Sequence, residues 1–207
     1  MNTSKSVNKL VKISVLVAMA FILMLFELPI PGFPPFLEFD LSDLPPLIGG
    51  FALGPVAGVI VEGGKILLNL LFTGSITGGV GEVANFIIGA SFVWVAAFVY
   101  HRNKTKKSAL LGLVLGTVTM TIVGAVFNYF ILIPLYASMY GGMNVIISMS
   151  AEGNSAISSL AGIIMIGITP FNILKGSVVS VITFASYKKV APLINKENLN
   201  MKHKTVR

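Results

Sequence analysis

The chain has 207 residues, of which 55% are hydrophobic and 11% are charged, and its mean hydropathy is +0.87. Soluble domains are about 45–50% apolar, so this composition predicts an integral membrane protein and excludes an ordinary soluble enzyme. The absence of cysteine excludes disulfide frameworks, cysteine-ligated metals and thiol catalysis.

The net charge of +7 is confined largely to three clusters of basic residues beside apolar segments. Basic clusters at the ends of membrane spans are typical of the cytoplasmic side, so we expect all three there and no nucleic-acid partner. The clusters are Lys5, Lys9 and Lys12; Arg102, Lys104, Lys106 and Lys107; and the lysines and arginine of residues 188–207.

The first predicted span runs from Lys9 to Leu28, and we expect it to be retained because no small-residue cleavage site follows it. Residues 29–43 are predicted to form an extracellular loop because four prolines fix the backbone and remove hydrogen-bond donors. Asp43 or Ser42 is predicted to cap the next helix, whose first turn holds two prolines.

An odd number of crossings is needed between this outer loop and the cytoplasmic basic cluster that begins at Arg102, and three crossings fit the length of the segment. The fifth apolar run crosses back, residues 141–155 form a second outer loop, and residues 156–169 are expected to be partly inserted. The predicted fold is therefore an all-α membrane protein of six helices with both termini cytoplasmic, in which residues 1–190 form one domain and residues 191–207 a basic tail. Spans two to six are expected at residues 43–54, 55–72, 80–100, 108–140 and 170–187.

Polar side chains inside spans are costly and therefore indicate function by default. Glu62 and Lys65 are three residues apart and are expected to form a structural ion pair. Lys175 has no acidic residue near it on its own helix, so its partner must come from elsewhere or from a ligand. Four further polar residues are candidates for ligand contact, each with a structural alternative such as a helix cap or an interhelical hydrogen bond: Glu82, Asn85, Asn128 and Asn172.

The chain has no phosphate-binding loop of the Walker type, so it is not expected to hydrolyse ATP itself. Ser14 and Ala18 lie four residues apart on the first span, a spacing of small residues that permits a close helix crossing.

Several motifs together resemble the riboflavin-binding S component of energy-coupling factor (ECF) vitamin transporters. They are FDLSDLPPLI at residues 39–48, GFALGPVAG at 50–58, GEVANF at 81–86, FNY at 127–129 and PFNILKG at 170–176. The six-helix layout is common to S components, whereas the acidic loop and the NILK turn point to riboflavin. The resemblance extends over nearly all of the chain from the first to the last span.

The resemblance implies a binding subunit that captures riboflavin on the outer face and associates with a transmembrane coupling subunit and two ATPases, with no cofactor of its own. The loop residues would form a lid, Asn128, Asn172 and Lys175 would hydrogen-bond the flavin, and the Ser14–Ala18 surface would contact the coupling subunit. The lid residues implied in this way are Asp40, Leu41, Ser42 and Asp43.

A flavin also needs apolar walls around a few directed polar groups, for which the candidates are Phe36, Phe39, Trp94, Phe127, Tyr129 and Phe171. The alternatives are an S component for another vitamin, an intramembrane transferase, and an autonomous ion-coupled carrier. A transferase would want clustered carboxylates at the cytoplasmic face, and a carrier would use Glu62, Glu82 and Lys175 as a proton relay.

Overall fold

The computed structural model describes the backbone of residues 3–204 and the side chains of residues 6–187 and 189. Within this part the chain is almost entirely helical, with one short antiparallel ribbon between the first two helices. The elements are α1 Thr3–Met24, β1 Leu28–Pro29, β2 Glu38–Phe39, α2 Leu44–Leu53, α3 Pro55–Phe72, α4 Val80–Asn103, α5 Lys106–Phe127, α6 Ile133–Met139, α7 Met143–Gly153, α8 Leu160–Gly162 and α9 Thr169–Lys204.

Five segments are long and apolar enough to cross a membrane, and a sixth apolar helix, α2, has only 10 residues. At 1.5 Å per residue α2 is about 15 Å long, half the thickness of the hydrocarbon core. The five segments are residues 6–24, 55–72, 80–103, 106–139 and 160–187. The prediction of a helical membrane protein is confirmed, and the short second helix lies where the sequence placed it.

The α2 helix is the centre of the bundle and contacts α1, α3, α4 and α9. Glycine permits its close crossing with α3, because a Cβ atom on Gly58 would lie 2.9 Å from both the Cα of Gly50 and the carbonyl oxygen of Pro46. Below this crossing, Leu47 and Phe51 pack into the largest core cluster with side chains from α4, α5 and α9.

The fifth apolar run is helical throughout but widens into a π-helical turn at Asn128–Leu132, directly before Pro134. Proline lacks an amide hydrogen and clashes with the preceding turn, and a π turn relieves that clash. The helix is therefore widened near Pro134 and continues into α6.

Three boundaries differ from the sequence prediction. Helix α1 ends at Met24, four residues before Leu28, because the chain then enters the β ribbon. The predicted loop 141–155 contains the helix α7. A second π-helical turn, Ile163–Ile168, joins α8 to α9, so residues 160–187 form one continuous apolar segment.

The last helix continues to Lys204, so the backbone of the predicted basic tail is helical through that residue. The side chains of residues 190–207 lie outside the described part of the chain.

Candidate functional site

The loop of residues 25–43 is shaped by the β ribbon, in which Leu28 pairs with Phe39 and Pro29 with Glu38. The pairing brings the second half of the loop back over the bundle and places Asp40 directly after β2. Asp40 is 4% exposed, so this carboxylate points into the protein and not into solvent.

The tip of the same loop rests on α7. The side-chain amide of Asn154 donates to the carbonyl oxygen of Gly32 at 3.2 Å. The backbone of Phe33 passes so close to Gly153 that a Cβ atom there would overlap its carbonyl oxygen. The Phe33 ring meets Phe171 of α9 edge to face, with centroids 5.5 Å apart. The loop is therefore packed against two later elements of the chain.

Asp40 forms an ion pair with Lys175 of α9, with Oδ2 and Nζ 2.7 Å apart. Its other oxygen accepts a hydrogen bond from the backbone amide of Ser42 at 2.6 Å. Burial alone would raise the pKa of the Asp40 carboxyl, but the ammonium groups of Lys175 and Lys65 outweigh burial and hold that pKa well below its ordinary value. Asp40 is thus an anion that fixes the position of Lys175.

Lys65 of α3 is fully buried and is held by the end of the loop. Its ammonium group donates to Ser42 Oγ at 2.8 Å and forms a short ion pair with Asp43. Glu62 Oε1 lies 2.9 Å away, as predicted for this i, i+3 pair, but neither Glu62 oxygen has a well-aligned hydrogen bond in the described part of the chain. Asp43 Oδ2 also lies 4.0 Å from Lys175, which joins the two ion pairs.

The predicted cap at the start of α2 is wrong in its mechanism. Asp43 occupies the N-cap position, but its side chain makes no capping hydrogen bond, because its carboxylate is taken by Lys65. Two prolines in the first turn reduce the need for a side-chain cap, since they have no amide hydrogens to satisfy.

The ion pairs form one buried network, which we call the charge network: Asp40, Asp43, Glu62, Lys65 and Lys175. It holds three carboxylates and two ammonium groups from the loop, α3 and α9. Gly89 of α4 makes room for it, because a Cβ atom there would overlap Glu62.

Asn128 and Asn172 both lie against Gly124 of α5. Asn172 is one turn from Lys175, and a Cβ atom on Gly124 would lie 2.9 Å from its Nδ2. Each side-chain amide donates to its own helix, Asn128 to the Gly124 carbonyl at 2.7 Å and Asn172 to the Ile168 carbonyl at 3.0 Å. An amide offers two donors and one acceptor oxygen, so further hydrogen-bonding capacity remains on both.

Glu82 and Asn85 are not part of this arrangement. Glu82 accepts hydrogen bonds from Ser75 Oγ at 2.8 Å and Thr77 Oγ1 at 3.2 Å, and so closes the turn that precedes α4. Asn85 is partly buried, and its side chain makes no hydrogen bond within the described residues. Among the described residues, neither side chain contacts the charge network through a hydrogen bond or an ion pair.

Two of the proposed aromatic walls face outward. Trp94 on α4 is 43% exposed, because the inward side of that helix is filled by residues such as Phe92 and Val93. Tyr129, in the π-helical turn after α5, is 39% exposed. Phe171 is buried under Phe33, and Phe36 packs against the core cluster around α6 and α7. Leu41 packs against the central core cluster.

Glu27 lies at the base of the loop. Much of this residue is exposed, but partial desolvation of its carboxyl group, together with the nearby carboxylates Glu38 and Asp40, raises its pKa to about 7. Sequence reasoning did not single out this residue, because the approach of Glu38 depends on the pairing of β1 with β2.

Ser14 and Ala18 are both exposed on α1, and Ser14 Oγ donates to the Leu10 carbonyl at 3.1 Å, within its own helix. The small-residue surface is therefore open along this face of the isolated chain.

Comparison with known proteins identifies relatives over most of this length. Residues 8–187 match the sequence model of the family described as ECF transporter, substrate-specific component. The riboflavin transporter RibU of Staphylococcus aureus is 39% identical over 91% of this chain and 93% of its own length. The riboflavin transporter FmnP of Bacillus subtilis is 36% identical over 92% and 96%. A solved structure of the S component of a bacterial ECF transporter has a TM-score of 0.70 at 39% identity, covering 90% of this chain and 96% of that chain.

Proposed function

The chain belongs to the family of substrate-specific components of ECF transporters, and from this premise we propose that it is the riboflavin-binding subunit of such a transporter. Relatives named riboflavin transporters align with it over more than 90% of both lengths, which supports riboflavin over another vitamin. The observation that carries the proposal is that the loop reaches Lys175 through Asp40, while Asn172 lies one helical turn from Lys175 and both asparagines lie against Gly124.

The chemistry of these groups suits the polar edge of a flavin. Lys175 donates to a carbonyl oxygen, and a side-chain amide both donates and accepts. Because Asp40 already holds Lys175 at 2.7 Å, we propose that the carboxylate orients the ammonium group and that riboflavin accepts one of its remaining hydrogens. Asp40, Leu41, Ser42 and Asp43 then belong to the lid, and we propose that Glu82 and Asn85, which lie apart from the charge network, contact the ligand separately from α4.

In this proposal the chain lies in the cell membrane with six spans and both termini in the cytoplasm. Residues 1–190 form the binding domain, residues 191–207 the basic tail, and residues 25–43 an extracellular lid. Because the natural chain has no cysteine, single cysteines placed at Glu152 and Lys107 provide a clean test with impermeant thiol reagents. We expect labelling from outside only at residue 152, and labelling from outside at residue 107 would refute the orientation.

The partners in this proposal are a transmembrane coupling subunit and two ATPases, which supply the energy for uptake. The family assignment supports this assembly, and the exposed Ser14–Ala18 face offers a surface for the coupling subunit. The chain itself acts as a transport subunit and not as an enzyme.

The test is a binding titration that follows quenching of riboflavin fluorescence by the purified protein. We expect Lys175→Met to weaken binding by about 10- to 100-fold, the loss expected for a hydrogen bond from a charged group worth about 1.5–3 kcal/mol. Lys189→Met, which removes an exposed lysine of the same helix, serves as the control and should bind normally. Natural protein that does not quench riboflavin would refute the function, and unchanged affinity in Lys175→Met would remove that lysine from the site.

A further inference from the structure

A basic surface lies at the turn between α4 and α5, far along α4 from the proposed binding site. Its four residues, Arg102, Lys104, Lys106 and Lys107, are all exposed. None of them forms an ion pair with a carboxylate in the described part of the chain. The sequence also contains no acidic residue between Glu82 and Glu152. Four positive charges are therefore gathered at one turn, and no carboxylate among the described side chains forms an ion pair with them.

Two aromatic side chains, Trp94 and Phe98, lie on α4 next to this turn, and with Arg102 they form a row that we call the aromatic ladder. Trp94 and Phe98 are each 43% exposed, and their rings are stacked 9° from parallel with centroids 6.4 Å apart. The guanidinium of Arg102 lies over the Phe98 ring, 4.8 Å from its centroid. The three residues recur every fourth position, so they extend about 12 Å along one face of the helix.

Arg102 points outward because its neighbours are engaged inside the bundle. The His101 ring nitrogen Nε2 lies 3.0 Å from the Gly50 carbonyl oxygen and 3.1 Å from that of Phe51. Tyr100 stacks on the Phe51 ring. The contact with Phe98 uses the face of the guanidinium, so the N–H groups at its edge stay available for hydrogen bonds. A planar fork of this kind matches the oxygen atoms of a phosphate.

We propose that this ladder and turn form a binding site for an anionic phospholipid of the leaflet on that side. The phosphate would lie at Arg102 between the lysines of the turn, and the upper part of an acyl chain would lie along Phe98 and Trp94. The charge of the turn suits this ligand, because a cluster of four or more basic residues beside a span attracts an anionic headgroup. The position of the aromatic residues suits it as well, because tryptophan favours the membrane interface.

Trp94 is the single tryptophan of the chain, so its fluorescence reports on this site alone. The experiment compares its quenching by phosphatidylglycerol and by phosphatidylcholine, each brominated in the acyl chain, in vesicles containing the full chain without flavin. We expect phosphatidylglycerol to be preferred about fivefold, the effect of roughly one basic residue at an anionic surface.

Three variants distinguish a specific lipid-binding site at Arg102 from general electrostatic attraction between basic residues and an anionic membrane. Arg102→Gln should bring the preference close to one, and Arg102→Lys should reduce it, because lysine keeps the charge but lacks the planar guanidinium. Lys189→Gln removes an exposed charge elsewhere and should keep the preference. Equal quenching by the two lipids in the natural protein would overturn the proposal, and so would equal losses in Arg102→Gln and Lys189→Gln or an unchanged preference in Arg102→Lys. Shielding of Trp94 from both lipids on addition of the coupling subunit would show a protein interface and also overturn it.

Discussion

Lys65 contacts both the end of the loop and its own helix, and it is fully buried there. Replacing it by Met would leave Glu62 in the protein interior without its counterion and Asp43 with only the more distant ammonium group of Lys175, 4.0 Å away. Removing one partner of a buried ion pair costs about 3–5 kcal/mol of folding free energy. We therefore expect Lys65→Met to lower the thermal unfolding temperature in detergent markedly and to abolish riboflavin binding.

The double variant Lys65→Met/Glu62→Gln supplies the matched comparison for this prediction. It removes one of the two negative charges that lose the Lys65 ammonium group and should recover part of the lost stability. Lys189→Met should unfold at the same temperature as the natural protein. An unchanged unfolding temperature in Lys65→Met would contradict the role assigned to the charge network.

Titration of Glu27 should make the stability of the protein depend on pH. The pKa of this carboxyl group is about 7 in the folded chain, compared with an ordinary value of 4.5. Between these values the folded chain binds more protons than the unfolded chain. The contribution of Glu27 is therefore fully present below about pH 4.5 and is lost as the pH rises through about 7. The carboxyl group of Asp40 has a depressed pKa, so its contribution to stability is lost only at more acidic pH. That contribution is therefore constant between pH 4.5 and pH 7.

Thermal unfolding measured from pH 5 to pH 8 tests this assignment. The natural protein should lose stability towards neutral pH, and Glu27→Gln should lose less over the same range. Glu152→Gln, which removes an exposed carboxyl group from α7, should behave like the natural protein. Identical slopes in the Glu27→Gln variant and the natural protein would contradict the assignment.

The sequence was most informative about polar groups whose partners are near in the chain. The Glu62–Lys65 pair follows from helical spacing and is confirmed at 2.9 Å. The partner of Lys175 could only be said to lie elsewhere, because Asp40 is 135 residues away and reaches it through the loop. The contact of Lys65 with Asp43 has the same long-range origin, and this is why sequence reasoning assigned Asp43 to a cap.

At the scale of elements, α7 supports the tip of the loop, and Gly153 allows the two backbones to touch. A Cβ atom on Gly153 would overlap the Phe33 carbonyl oxygen, so Gly153→Ala must push the loop outward. We expect riboflavin to dissociate at least about tenfold faster from this variant, equivalent to a loss of about 1.4 kcal/mol, while α7 remains helical. Stopped-flow release of bound riboflavin measures the rate.

Gly162→Ala is the control, because a Cβ atom at Gly162 would meet its nearest neighbour at 3.4 Å, an ordinary contact. Its dissociation rate should match that of the natural protein. Unchanged release from Gly153→Ala would show that the loop is held without α7.

Helix positions were predictable because apolar runs of about 20 residues and prolines at helix starts are local signals. Helix α3 begins at Pro55 and ends at Phe72, as the sequence predicted. Helix α7 was missed because residues 141–155 are polar and glycine-rich, and its buried face depends on side chains such as Ile157 and Ile163 that come later in the chain. The π-helical turn at Asn128 likewise has no local pattern beyond the proline that follows it.

At the scale of the whole molecule, the bundle separates two tasks in space. The charge network joins the loop to α3 and α9, and Asn172 of α9 lies against Gly124 of α5, whereas the exposed small-residue face belongs to α1. Helix α1 contacts α2 and α3, so it is linked to the site through α3, which carries Lys65. A subunit built in this way can bind its vitamin with the α1 surface either free or occupied.

This separation predicts that riboflavin binding and transport can be uncoupled at Ser14 and Ala18. Larger side chains would prevent a close helix crossing on α1, and neither residue is in contact with the charge network. The variant Ser14→Leu/Ala18→Leu should therefore bind riboflavin with natural affinity in detergent. Recovery of the coupling subunit on affinity purification, and uptake by cells, should fall by more than about tenfold, equivalent to about 1.4 kcal/mol of association free energy. Ala185→Leu, on the exposed side of α9, is the control for added bulk, and full uptake by the double variant would place the coupling surface elsewhere.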